Sequence, residues 1–162
     1  MANQRLWAPW RSEYLNREKS SDCIFCSKPA GDDESGFIVH RGDGCYVMLN
    51  AFPYNSGHVM VAPYAHHGDL RDLAPEVANE LTALTQSALD AIERTYGPEG
   101  FNLGANLGEV AGAGFAGHFH MHVVPRWGGD TNFMPVVGDV RVLPETLEET
   151  WRKLREAFPT GR

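Results

Sequence analysis

Gly117-His118-Phe119-His120-Met121-His122-Val123-Val124-Pro125 is the stretch on which the reading of this chain turns. Side chains along a strand alternate between its two faces. A strand over His118 to Val124 therefore puts three imidazoles on one face and Phe119, Met121 and Val123 on the other. At ~3.3 Å of rise per residue, neighbouring imidazoles would lie about 7 Å apart. A histidine row with an apolar back fits two chemistries. The imidazoles could hold a catalytic metal that keeps one coordination position open. Alternatively, one neutral imidazole is a nucleophile toward phosphorus while its neighbours orient it and bind phosphate.

Upstream, residues 104–117 contain five glycines. Backbone with so little side chain can approach a ligand closely and offer N–H groups to phosphate oxygens. Gly112-Ala113-Gly114-Phe115-Ala116-Gly117 matches G-x-G-x-x-G by letter, but it leads into an alternating strand instead of opening a helix. That excludes the dinucleotide-fold reading. No Gly-Lys-Ser/Thr is present to make a phosphate-binding P-loop.

Further outward, strands are expected at Phe37–His40, Cys45–Leu49, His58–Ala62 and around Phe101–Ala105. Gly42-Asp43-Gly44 suits a tight hairpin between the first two. Pro75 suits the first turn of a long helix whose apolar stripe is Val77, Leu81, Leu84, Ala88 and Ile92, stopped by Gly97-Pro98. A last helix opens at Pro144 with Leu147, Trp151, Leu154 and Phe158 on one face. Residues 27–36 read as loop, and Trp7-Ala8-Pro9-Trp10-Arg11 as an aromatic arm that docks on the body or on a partner subunit. Short strands with two substantial helices give an α+β fold on an antiparallel sheet. The 162 residues are expected to form one domain, with the arm at 1–20, a motif-bearing core at 23–134 and the helix at 144–158.

A net charge of −7 argues against a nucleic-acid partner, whose binders are basic. An anionic small molecule would need a local site. No signal peptide or membrane span is evident, so the expectation is a cytoplasmic protein without membrane association. The cysteine count of three argues against a disulfide framework. Cys45 lies in an apolar run and reads as a small core residue. Cys23-Ile24-Phe25-Cys26 is a C-x-x-C with three readings: a redox pair, two unrelated buried thiols, or half of a structural zinc site. Zinc is the favoured reading, and it needs two more ligands.

Residues 117–127, ending Pro125-Arg126-Trp127, resemble the signature of the histidine-triad family. Leu49-Asn50, Pro53 and Gly57-His58-Val59-Met60-Val61-Ala62-Pro63 are similar to its ribose-binding segment and the strand after it. Asn106-Leu107-Gly108, Ala111-Gly112-Ala113-Gly114 and Gly128-Gly129-Asp130-Thr131-Asn132-Phe133-Met134, with Trp7 to Arg11, resemble the branch that includes bacterial diadenosine tetraphosphate phosphorylases. The resemblance implies a five-stranded antiparallel sheet with two helices, paired as a homodimer. It implies that His120 attacks the α-phosphate of a nucleotide, that His122 contacts phosphate or the leaving group, and that His58 buttresses them. It places Asn50 on the ribose, and Asn106 with the Gly112-Ala113-Gly114 backbone on phosphate. It also completes a zinc site, Cys23, Cys26, His66 and His118, although His67 adjoins His66. No organic cofactor is implied.

The implied activity is nucleotidyl transfer from a dinucleoside polyphosphate to phosphate or water. A nucleoside phosphoramidate hydrolase, a non-catalytic nucleotide-binding protein and a metallohydrolase remain as competing expectations.

Overall fold

The computed structural model describes residues 23–130 and 144–159. The aromatic arm, with Trp7 to Arg11, and the segment Thr131 to Met134 lie outside the described residues. Five strands form one antiparallel sheet: β1 (Ile38–Arg41), β2 (Cys45–Leu49), β3 (Val59–Pro63), β4 (Gly100–Gly104) and β5 (Met121–Arg126), in the order β1-β2-β3-β5-β4. Three helices precede the last one: the short α1 (Ile24–Ser27) and α2 (Asp33–Gly36), which were not expected from the sequence, and the long α3 (Pro75–Tyr96), which was. α4 (Leu147–Ala157) closes the described chain. The architecture is α+β, as expected, with α3 and α4 as its two main helices. None of the described helices is long and apolar enough to cross a membrane.

The expected stripe of α3 is buried at Leu81, Leu84, Ala88 and Ile92, with Val77 packed at its margin. Gly97 ends the helix in the left-handed region (φ +55°), where its N–H donates to the Glu93 carbonyl. A residue without a Cβ adopts that conformation at little cost. α4 starts three residues later than Pro144 suggests. Thr146 caps it, accepting from the Glu149 N–H while the Glu149 carboxylate accepts from the Thr146 N–H. That reciprocal box satisfies two N–H groups at the helix start, which Pro144 could not do.

Period-two alternation sorts the strands onto two faces. Val39, Cys45, Val47, Leu49, Val59, Val61 and Val123 join Phe119, Leu154 and Phe158 under the helices. Ile38, Tyr46, Met48, Met60 and Ala62 form a smaller cluster with Phe25 on the other face. Cys45 is wholly buried, and burial pushes its thiol up to about 12, so it behaves as a core group. The β1–β2 turn is tied to α3: both oxygens of the Glu80 carboxylate accept backbone N–H groups, from Asp43 and Gly44 at 2.6 Å each.

Residues 27–36 are more ordered than a loop. A 3-10 turn covers Lys28–Ala30, and α2 is capped by Asp32, whose carboxylate accepts the Ser35 N–H at 2.9 Å. Glycine, aspartate and serine there act as caps and stops for very short helices, which resemble loop in composition.

Candidate functional site

The histidine row is not one strand. β5 begins only at Met121, so His122 lies in the ladder while His118 and His120 precede it. The reason is Pro63. β3 pairs with β5 from Val59↔Val123 to Val61↔Met121. Two residues further, opposite Phe119, the ladder would need an N–H from Pro63, which has none. The Pro63 carbonyl instead faces His118 Nε2 at 2.8 Å, and the Phe119 N–H donates to the His67 carbonyl at 2.6 Å. Facing alternation survives without the ladder: Phe119, Met121 and Val123 pack on the helix side, while the imidazoles lie on the other. Leaving the regular pleat brings the rings together, so that His120 and His122 are 4.9 Å apart edge to face instead of about 7 Å.

His120 is 7% exposed, and its Nδ1 lies 2.9 Å from the His118 carbonyl oxygen. A carbonyl only accepts, so Nδ1 carries the hydrogen and Nε2 keeps a bare lone pair while the ring is neutral. Burial holds the His120 imidazole below its ordinary range, which keeps it neutral. One face of the ring is covered by Phe25, with centroids 4.4 Å apart and planes 23° apart.

His122 is set the opposite way. The Tyr54 backbone N–H donates to His58 Nδ1 at 3.1 Å, and His58 Nε2 lies 2.9 Å from His122 Nδ1. With Nδ1 accepting, neutral His58 carries its hydrogen on Nε2 and donates it to His122. Neutral His122 then carries its own hydrogen on Nε2. Burial first, and the neighbouring His120 second, bring its pKa down to about 4. The two imidazoles therefore present unlike atoms: a lone pair from His120 and an N–H from His122. His58, wholly buried just ahead of β3, touches His122 and is the member of the group that fixes this polarity.

Asn50 follows β2, and its Oδ1 accepts the Phe52 N–H at 2.9 Å. Its Nδ2 is 3.5 Å from His58 Nε2, too long to compete with the His58–His122 contact. The glycine-rich segment is folded back on itself: Asn106 Nδ2 donates to the Gly112 carbonyl at 3.3 Å, around a 3-10 turn at Glu109–Ala111. Gly112 sits at φ +88°, and Ala113 and Gly114 are half-buried beyond it. Asn106 thus shapes this loop directly.

Cys23, Cys26, His66 and His118 bring one donor atom each to within 4.8 Å of one another. His118 is the member of the row in this group; among the described residues, His120 and His122 belong to no such cluster. His67 is not in it either, and its carbonyl is used by Phe119. A tetrahedral zinc with bonds of about 2.3 Å to sulfur and about 2.0–2.1 Å to nitrogen needs edges of roughly 3.3 Å between nitrogens and roughly 3.5 Å between sulfur and nitrogen. The two Nδ1 atoms are 3.3 Å apart, and three of the four sulfur–nitrogen separations are 3.3, 3.4 and 3.6 Å. His118 donates Nε2–H to Pro63, leaving Nδ1 unprotonated for a metal, the usual backing of a ligating imidazole. The four residues fit zinc in chemistry and in spacing.

Two contributors were not foreseen. Phe25 reads as a spacer in the C-x-x-C, yet it stacks on both His118 and His120. Asn55 ties the loop after β2 to the exit of β5, donating to the Pro125 carbonyl at 2.9 Å and to Asp130 at 2.8 Å, while Arg126 grips Asp130 with two nitrogens.

A family model described as the HIT domain matches residues 33–129. A protein of Mycobacterium tuberculosis (strain H37Rv) named AP-4-A phosphorylase is 44% identical over 160 residues, covering 93% of this chain and 82% of that protein. The crystal structure of a zinc-bound histidine triad family protein from Mycobacterium smegmatis superposes with a TM-score of 0.65 at 28% identity, covering 84% of this chain and 92% of that one. A histidine triad nucleotide-binding protein from Sulfolobus tokodaii shares the fold, with a TM-score of 0.67 at 23% identity over 83% of this chain and 91% of that one.

Proposed function

This chain belongs to the HIT-domain, or histidine-triad, family, and on that premise we propose that it cleaves dinucleoside polyphosphates such as diadenosine tetraphosphate through a nucleotidyl-His120 intermediate. The observation that carries the reading is the 2.9 Å contact from His120 Nδ1 to the His118 carbonyl, which leaves Nε2 as a bare, neutral nucleophile. Nε2 attacks the α-phosphorus. The N–P bond forms as the bond to the bridging oxygen breaks, and the leaving polyphosphate departs with that electron pair. The Nε2–H of His122 is available to hydrogen-bond the leaving oxygen. In the second displacement an oxygen of phosphate or water attacks the same phosphorus, the N–P electron pair returns to His120, and attacking water releases one proton to solvent. Phosphate as acceptor gives ADP and water gives AMP. The likeness to a protein named as a phosphorylase supports phosphate.

Around this centre, His58 sets the polarity of His122, Asn50 contacts the ribose, and Asn106 with the Gly112-Ala113-Gly114 backbone cradles phosphate. Cys23, Cys26, His66 and His118 would hold zinc. Four protein ligands leave no open coordination position, so a bound zinc supplies structure, tying α1, the turn after β3 and the approach to β5 together. The family likeness also supports a nucleotide substrate; a homodimeric assembly and a cytoplasmic location are part of the same proposal.

Rapid quench with a dinucleotide labelled in its α-phosphate tests the reading. Acid-labile label should appear on the protein within one turnover, and product analysis should give ADP with phosphate present and AMP without it. Turnover with no protein-bound label would remove the covalent mechanism; binding with no turnover would leave a nucleotide-binding protein.

A further inference from the structure

Resting on the assignment of His120 as nucleophile, we propose that Phe25 is a positioning residue for the reaction: its ring fixes the plane of His120 and so the direction of the attacking nitrogen. A single hydrogen bond at Nδ1 anchors one point of an imidazole and leaves the ring able to tilt and to turn about its Cβ–Cγ bond. Two further contacts remove that freedom. Phe25 lies face-on over His120 at 4.4 Å, and His122 meets it edge to face at 4.9 Å.

Phe25 is itself immobilised. It is 1% exposed, its carbonyl accepts the Tyr46 hydroxyl at 2.8 Å, and Phe115 meets its ring at 5.9 Å and 88°. The same ring stacks on His118 at 5.2 Å and 30°. Phe25 therefore spans two histidines, His118, whose main-chain carbonyl holds Nδ1 of its neighbour, and His120, which bears the attacking Nε2. Its chain neighbours Cys23 and Cys26 belong to the four-donor cluster. The C-x-x-C thus holds an aromatic ring against the reaction centre, in addition to whatever metal it binds. Near-attack geometry is demanding enough that about 1 Å of misplacement costs about 10²-fold in rate.

The test uses the full-length chain as Phe25→Leu and Phe25→Met, with Phe158→Leu as comparison. Phe158 stacks on His40 at 4.4 Å and 16° on the opposite face of the sheet, so its loss costs packing without touching the imidazole row. Both Phe25 variants should keep zinc content and a KM within about threefold of the parent, while kcat and the rate of protein labelling fall by about 10²-fold. Phe158→Leu should lower the thermal midpoint and keep kcat. Labelling by both Phe25 variants at the parent rate would overturn the inference, as would a raised KM with unchanged kcat, or an equal kcat loss in Phe158→Leu. Should neither Phe25 variant fold, the parent protein still decides: the His120 ring protons must be shifted upfield in NMR by the stacked aromatic ring, and ordinary shifts would refute the contact. Failure of the parent to label at all is a different result, since it removes His120 as nucleophile.

Discussion

Where α3 and α4 cover the sheet, Val47, Val61, Phe119 and Val123 meet Leu81, Leu84 and Leu154, an apolar layer built from regular elements. Across the sheet, His122 sits in register between Met60 and Gly104, and the chain ahead of β5 adds His120 and His118. The helix-covered face is periodic and repeats one kind of contact. The imidazole face is assembled from segments 40 or more residues apart in sequence, such as Cys26 with His66 and Cys23 with His118. One strand can thus serve both, with stability concentrated on one side and chemistry on the other.

Substitutions should respect that division. The largest effect is expected from His120→Asn, which removes the proposed nucleophile: turnover should fall by about 10⁴-fold or more with the fold intact and nucleotide still bound, as read by product assay and calorimetry. Near-parent turnover would break the contrast at its centre. Next comes the metal cluster. Purified protein should carry about one zinc per chain, and Cys26→Ser should lose it together with several degrees of thermal midpoint, whereas His67→Ala should keep both. On the helix-covered face, Leu154→Ala opens a cavity at a residue 1% exposed, costing about 2–5 kcal/mol in denaturant unfolding with kcat unchanged.

A smaller effect is set by acid. His122 in the folded chain titrates at about 4 against an ordinary 6.5, so the unfolded chain takes up the proton first. Stability should therefore decline as pH falls from about 6.5 toward about 4 and level off below. His122→Asn should flatten that decline, and an unchanged slope would separate it from this imidazole. The smallest effect is expected from Thr146→Ala, which removes one half of the α4 capping box: about 1 kcal/mol of stability and no change in turnover.

The regular face was largely legible in the sequence, because periods of 2 and 3.6 residues are properties of neighbours along the chain. The stripe of α3 and the first four strands follow from them, with ends displaced by at most one residue, whereas β5 starts three residues later than His118. His58 falls just outside β3, and β4 runs Gly100–Gly104 instead of Phe101–Ala105. The break ahead of β5 was missed because it depends on Pro63, 58 positions before Met121, meeting that point of the ladder. The Glu80 carboxylate on the β1–β2 turn was missed for the same reason, since nothing near residue 43 in sequence announces a helix 36 or 37 residues later. At the imidazole face, histidines and cysteines stand out by type. Phe25 does not, because an apolar letter between two cysteines looks like filler until its ring is seen against His120.

The contact that starts at Tyr54 makes the relay depend on backbone and not on a side chain. The donor to His58 is a main-chain N–H, which no exchange of the residue 54 side chain can delete, proline excepted. The handedness of the His58–His122 relay is thereby insulated from drift at an exposed loop position. An exchange of the Tyr54 side chain would remove its ring contacts with His58 and His122, at 4.7 and 6.3 Å between centroids, yet leave the direction in which the pair hands on its hydrogen the same.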